Sequence, residues 1–140
     1  MKEIAVDGCS YKYTISATPP IYSVNDPNDG AITAPPSMKV KADGKRVYKD
    51  GAGFSATVIA PATAIGGVVT PPTFNISSSF ISTAVKAKAD GTVVLLKGDK
   101  TGLMTANFID TNSSTEVSTP IVVTVTAEID DPGQKKVKSN

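Results

Sequence analysis

The plainest pattern in this chain is an alternation near its end. From Ile121 to Ile129, the side chains of Ile121, Val123, Val125, Ala127 and Ile129 fall on one side, and Thr124, Thr126 and Glu128 on the other. That is the period-two signature of a half-buried strand. Phe54, Ala56 and Val58 alternate with Ser55 and Thr57 in the same way, and Leu103 to Ile109 reads as a further strand. Helical periodicity is missing. The stretches free of Gly and Pro are rich in Thr, Val and Ser, which favour strands and turns, and ten prolines and eleven glycines interrupt the chain at short intervals. The pattern predicts an all-β fold, with residues 1–140 forming a single domain.

Three segments read as loops: Ala17 to Pro36, Pro61 to Pro72, and Asp110 to Pro120. The first is long and Pro-rich for a connection inside a compact domain, which fits either a partner-facing segment or a surface loop of extended, polyproline-like backbone.

One phrase occurs twice in full. Residues 38–51 read MKVKADGKRVYKDG, residues 85–98 read VKAKADGTVVLLKG, and residues 136–140, KVKSN, begin the phrase a third time. Asp43-Gly44 and Asp90-Gly91 each stand between alternating runs, the strongest short-range signal for a two-residue hairpin turn. Such turns pair Ala42 with Lys45, Lys41 with Arg46 and Val40 with Val47 in the first copy. In the second they pair Ala89 with Thr92, Lys88 with Val93 and Ala87 with Val94. Val40, Val47, Ala87, Val94 and Val137 then occupy equivalent core-facing sites, while Lys39, Lys41, Lys86, Lys88, Lys136 and Lys138 face outward. The spacings are 47 and 50 residues. Two and a half units are too few for a solenoid of uniform stacked repeats. They predict a small, closed, pseudo-threefold body of short strands and hairpins, its third side supplied by the last fragment without a return strand.

Composition changes this picture little. The 140 residues are long enough to bury a core, with 40% hydrophobic and 19% charged residues and a formal charge of +1. No global field recruits nucleic acid or an acidic membrane. Locally, Lys39, Lys41, Lys45, Arg46 and Lys49 outnumber Asp43 and Asp50, which reads as a solvated hairpin face. The start carries no apolar signal-peptide core, and no run approaches the ~18 apolar residues of a spanning helix. The single Cys9 suits synthesis in a reducing cytoplasm.

Catalytic chemistry finds few groups. There is no His, which removes the commonest general base and metal ligand. Cys9 without a His partner reads as a small apolar residue. Asp26, Asp29, Asp130 and Asp131 lack the ligand spacing of a calcium loop and suit turns and caps. No glycine-rich phosphate loop is present, and eight Phe and Tyr with no Trp make a thin stacking platform. The expectation is a non-enzymatic protein with no catalytic residue, cofactor or metal.

The order VDGC near the start, PPSMKVKADGKRVYKDG, KAKADGTVVLLKGD, and the closing VTVTAEIDDPGQKKVK resembles the PAAR-like spike-tip proteins of contractile injection systems, which include type VI secretion systems and phage-tail-like particles. The resemblance spans most of the chain. It implies a small β-rich cone capping the blunt end of a trimeric β-helical spike, one copy per trimer, that pierces a target envelope. It implies transient contact with the target membrane, no nucleic acid, and no stable homo-oligomer. It also implies assembly at the tip of the particle and ejection from the cell. Zinc-binding members of the wider family use three His and one Cys, and that set has no counterpart here. A β-sandwich binding or capsid-decoration module is the alternative reading, since sandwiches also carry short strands with frequent turns.

Overall fold

The computed structural model describes all 140 residues, and every regular element is a strand. The long strands are β2 (Ser10–Thr18), β3 (Asn28–Ile32), β6 (Gly53–Ile59), β8 (Thr73–Ile81), β12 (Met104–Thr111) and β13 (Ser118–Asp131). Two short ones, β7 (Val68–Thr70) and β11 (Lys100–Thr101), complete the main sheet, while β1 (Lys2–Glu3), β4 (Lys41–Ala42), β5 (Lys45–Arg46), β9 (Lys88–Ala89), β10 (Thr92–Val93) and β14 (Lys138–Ser139) form three separate two-stranded sheets. The fold is all-β.

The alternation seen in sequence sets the core. Ile121, Val123, Val125, Ala127 and Ile129 are all buried, as are Phe54, Ala56 and Val58 opposite them. Phe80, Met104, Ala106 and Phe108 join them in the larger of two hydrophobic clusters. Burying a side chain of this size is worth about 1.5–3 kcal/mol, so this face fixes strand register: a one-residue slip would turn every one of these groups to solvent.

Three loop boundaries read from the sequence need correction. β3 lies inside the segment 17–36, β7 lies inside 61–72, and β12 and β13 continue to Thr111 and from Ser118. Asn28-Asp29-Gly30 reads as a turn locally, yet Asn28 and Ala31 pair with Thr57 and Ser55 across a register shift. Asp29 keeps the left-handed φ of 54° that a turn residue favours, so the turn-like sequence is taken into the strand as a bulge. The strands are also longer than expected, with 14 residues in β13 and 9 in β2 and β8.

Pairing of the long strands follows a cycle. β2 pairs with β13, β11 with β8, and β6 with β3, all antiparallel. β6 also pairs with β8 and β12 with β13, whereas β2 and β3 share no ladder. Tyr11 and Tyr13 of β2 fill that gap: the Tyr11 hydroxyl accepts the Ile32 N–H at 3.2 Å, and the Tyr13 hydroxyl occupies the space a Cβ would need at Gly30. Gly30 permits this close approach because it has no side chain.

Candidate functional site: a threefold hairpin end

The repeated phrase folds alike in both copies. Lys41 lies opposite Arg46 and Ala42 opposite Lys45; Lys88 lies opposite Val93 and Ala89 opposite Thr92. Asp43 and Gly44 have φ of 51° and 77°, and Asp90 and Gly91 have 51° and 82°. Positive φ at both central residues is the type I′ turn that two-residue hairpins prefer.

The third unit differs from the expectation, because it does have a return strand. That strand comes from the other end of the chain: Lys2 lies opposite Ser139 and Glu3 opposite Lys138. Val137, Val40 and Ala87 accept equivalent backbone hydrogen bonds from Ile4 (3.0 Å), Val47 (3.2 Å) and Val94 (3.0 Å). The sequence signal that identifies this strand is IAVDG at 4–8, which aligns with VYKDG at 47–51 and VLLKG at 94–98.

Those three pentapeptides form a closed ring. Ala5 donates its N–H to the Leu95 carbonyl (2.8 Å), Leu95 donates to Tyr48 (3.0 Å), and Tyr48 donates to Ala5 (3.1 Å). A second set runs the opposite way: Asp7 to Arg46, Asp50 to Val93, and Lys97 to Glu3, each at 2.8 Å. Each pentapeptide ends in a glycine of positive φ, Gly8 (93°), Gly51 (80°) and Gly98 (88°). These glycines let the backbone turn out of the ring into β2, β6 and β11, a conformation costly for other residues.

The ring separates two cores. Ala5, Tyr48 and Leu95 point into the large cluster, whereas Ile4, Val6, Val47, Val94 and Leu96 join Ala42 and Ala89 in a small cluster under the hairpins. Tyr48 Oη donates to Asp7 Oδ1 at 3.2 Å, and burial together with the Asp7 charge pushes its pKa up to about 12.

The turn and core positions named from sequence thus meet at one end, with differences in depth. Val47 and Val94 are buried, Val40 and Ala87 are half-buried against the small cluster, and Val137 is 38% exposed. On the first strand of each hairpin the buried positions are Ala42, Ala89 and Ser139, two residues nearer the turn than Val40, Ala87 and Val137. Lys39, Lys41, Lys86, Lys88, Lys136 and Lys138 are all exposed.

Polar groups lock the hairpins to one another. Buried Ser37 accepts the N–H groups of Lys39 (3.3 Å) and Val40 (3.0 Å) on Oγ. Buried Gln134, at the equivalent place, accepts those of Lys136 (2.9 Å) and Val137 (2.8 Å) on Oε1. Each turn then meets the next unit: Lys136 pairs with Asp43 (3.7 Å), Lys49 with Asp90 (3.2 Å), and the Val85 N–H donates to the Asn140 carbonyl (2.7 Å). The Ser37 hydroxyl and the Lys49 ammonium hold the Asp90 carboxyl below its usual range.

Chemistry elsewhere is sparse. Half-buried Cys9 donates weakly to the Tyr11 hydroxyl (3.8 Å), and burial pushes its thiol pKa up. Asp131 caps the turn at Gly133 (2.9 Å). No three His, Cys, Asp or Glu side chains converge as a metal would require. No family model, curated protein or solved structure matches this chain.

Proposed function

We propose that this chain is a non-enzymatic, PAAR-like tip that caps the trimeric β-helical spike of a contractile injection machine and pierces the target envelope. The observation that carries the reading is the closed ring of backbone hydrogen bonds among Ala5, Leu95 and Tyr48. A trimer's blunt end offers three identical sets of strand ends and one apolar core. A single chain can cover all three only if it has three similar sides, and closing those edges removes a template for aggregation. The hairpin sheets suit this contact, because each has two strands and no third strand on its edges.

The role is mechanical. Contraction of a sheath drives the tube and spike at a membrane, and a closed β body concentrates the force without breaking a covalent bond. No cofactor, metal or nucleic acid takes part. The protein is made in the bacterial cytoplasm, carried at the particle tip, and touches the target membrane only on ejection.

Stoichiometry tests the reading. Light scattering of the purified chain with its cognate trimeric spike should give one copy per trimer, and the chain alone should be monomeric. A complex of three chains per trimer, or a stable homotrimer of the chain, would overturn it.

A further inference from the structure

Charge is strongly segregated along the molecule. Residues 1–8, 37–51, 84–98 and 134–140 build the hairpin end, and they hold twelve of the fourteen Lys and Arg but only five of the thirteen acids. The other two cations, Lys12 and Lys100, both pair with Glu128, at 2.9 and 3.9 Å. Among the twelve, only Lys49 and Lys136 have a carboxylate within ion-pair distance.

The exposed cations follow the internal symmetry, and of the six in its two triplets only Lys136 has an ion-pair partner. Lys39, Lys86 and Lys136 form one equivalent triplet, and Lys41, Lys88 and Lys138 another, all exposed. Lys41 even faces Arg46 directly across its hairpin, a like-charge pair that costs stability. Between the lysines, Met38 and Val85 occupy matching positions and are 68% and 72% exposed; the third unit has Lys135 there, and exposes Met1 and Val137 instead. Clustered like charge destabilises a folded chain through self-repulsion, and the protein supplies a carboxylate partner for only two of the twelve cations.

We infer that the hairpin end docks on an acidic, threefold-symmetric protein surface: the end of a homotrimer that presents carboxylates to each lysine pair around a small apolar centre. This deepens the spike-tip reading and rests on it for the trimer. Anionic lipid or nucleic acid would also attract lysines, but neither has use for two threefold triplets interleaved with exposed methionine and valine. Complementary charge of this kind acts mainly on encounter rate and register, which suits a single chain that must find one of three equivalent seats.

The test uses the full chain, the cognate trimeric spike as probe, and two triple variants of equal charge change. Lys41→Gln/Lys88→Gln/Lys138→Gln should weaken binding about tenfold to a hundredfold. Thr14→Glu/Ser77→Glu/Thr105→Glu, on exposed positions of β2, β8 and β12, should change it by less than about threefold. Wild-type affinity should also fall steeply between roughly 0.05 M and 0.5 M salt, as the screening length shortens. A one-per-trimer complex indifferent to salt and to the lysine changes would sink the charge inference and leave the tip reading standing. No binding to the trimer, with lysine-dependent binding to phosphatidylglycerol vesicles, would overturn both in favour of a membrane surface.

Discussion

Gln134 donates from Nε2 to the carbonyl of Ile4 at 2.8 Å, so one buried amide joins the two ends of the chain. The same group donates to the Val137 carbonyl (2.8 Å), and its oxygen accepts from Lys136 and Val137. All four hydrogen-bonding capacities of the side chain are used, an arrangement that leaves backbone groups unsatisfied when the amide is removed.

Gln134→Leu should therefore cost about 1–3 kcal/mol, more than an exposed polar change. Amide hydrogen exchange should show the loss first at Ile4 and Val137, while the amides of β13 keep their protection until global unfolding. Uniform loss of protection across the molecule would mean that the terminal strands are not a separable unit.

The pairing of Lys2 with Ser139 places Asn140 and Met1 where Asp43-Gly44 and Asp90-Gly91 stand in the other hairpins. Joining Asn140 directly to residue 1, with Met1→Gly, should create an Asn-Gly turn of the type I′ family. Opening that closed chain between Asp43 and Gly44 should give a folded circular permutant, since exposed turn tips tolerate new ends. Circular dichroism and a cooperative melt within several degrees of the parent would be the expected outcome. An unfolded product would show that the three hairpins are not interchangeable.

Much of this architecture was legible in the sequence, and the unread parts have physical causes. Hairpin register at Lys41/Arg46 and Lys88/Val93 follows from the turn residues alone, because a two-residue turn fixes every pair after it. The inward face of β13 follows from alternation. The third hairpin was only half visible, since its strands lie at opposite ends of the chain and no turn motif links them. β3 was hidden because its Asn-Asp-Gly start reads as a turn, and the fold takes that left-handed Asp29 into the ladder with β6 as a bulge. The polar locks at Ser37 and Gln134 carry no local pattern, being defined by backbone groups brought in by the fold.

Asp110 ties together the end opposite the hairpins. It is wholly buried and accepts hydrogen bonds from Tyr22 Oη (2.8 Å), Thr63 Oγ1 (2.7 Å) and the Ala64 N–H (2.9 Å). Burial opposes its ionisation, but these donors outweigh it and hold the carboxyl below its usual pKa. A depressed carboxylate contributes stability above its unfolded pKa, near about 3.9, that is lost as pH falls through the folded value. Asp110→Asn should lower the melting temperature by several degrees at neutral pH and flatten the acid limb of the stability curve below about pH 4. An unchanged acid limb would assign that limb to other carboxylates.

The small core supplies the sharpest test of equivalence, because Ile4, Val47 and Val94 occupy the same place in the three units and are 6%, 1% and 1% exposed. Val47→Ala and Val94→Ala should each cost about 1–3 kcal/mol, with values within about 1 kcal/mol of each other. Changing either to Asp would place a charge among Val6, Ala42, Ala89 and Leu96, a cluster that holds no buried cation. That should cost at least about 4 kcal/mol and abolish cooperative folding at modest temperature. Val137→Asp, at the outer rim, should cost less than about 1 kcal/mol, since water still reaches the side chain. Denaturant melts of the five variants decide the matter. A large loss at Val137 with little loss at Val47 would place the true core at the rim, and the ring around Ala5, Tyr48 and Leu95 would no longer be the element that holds the three sides together.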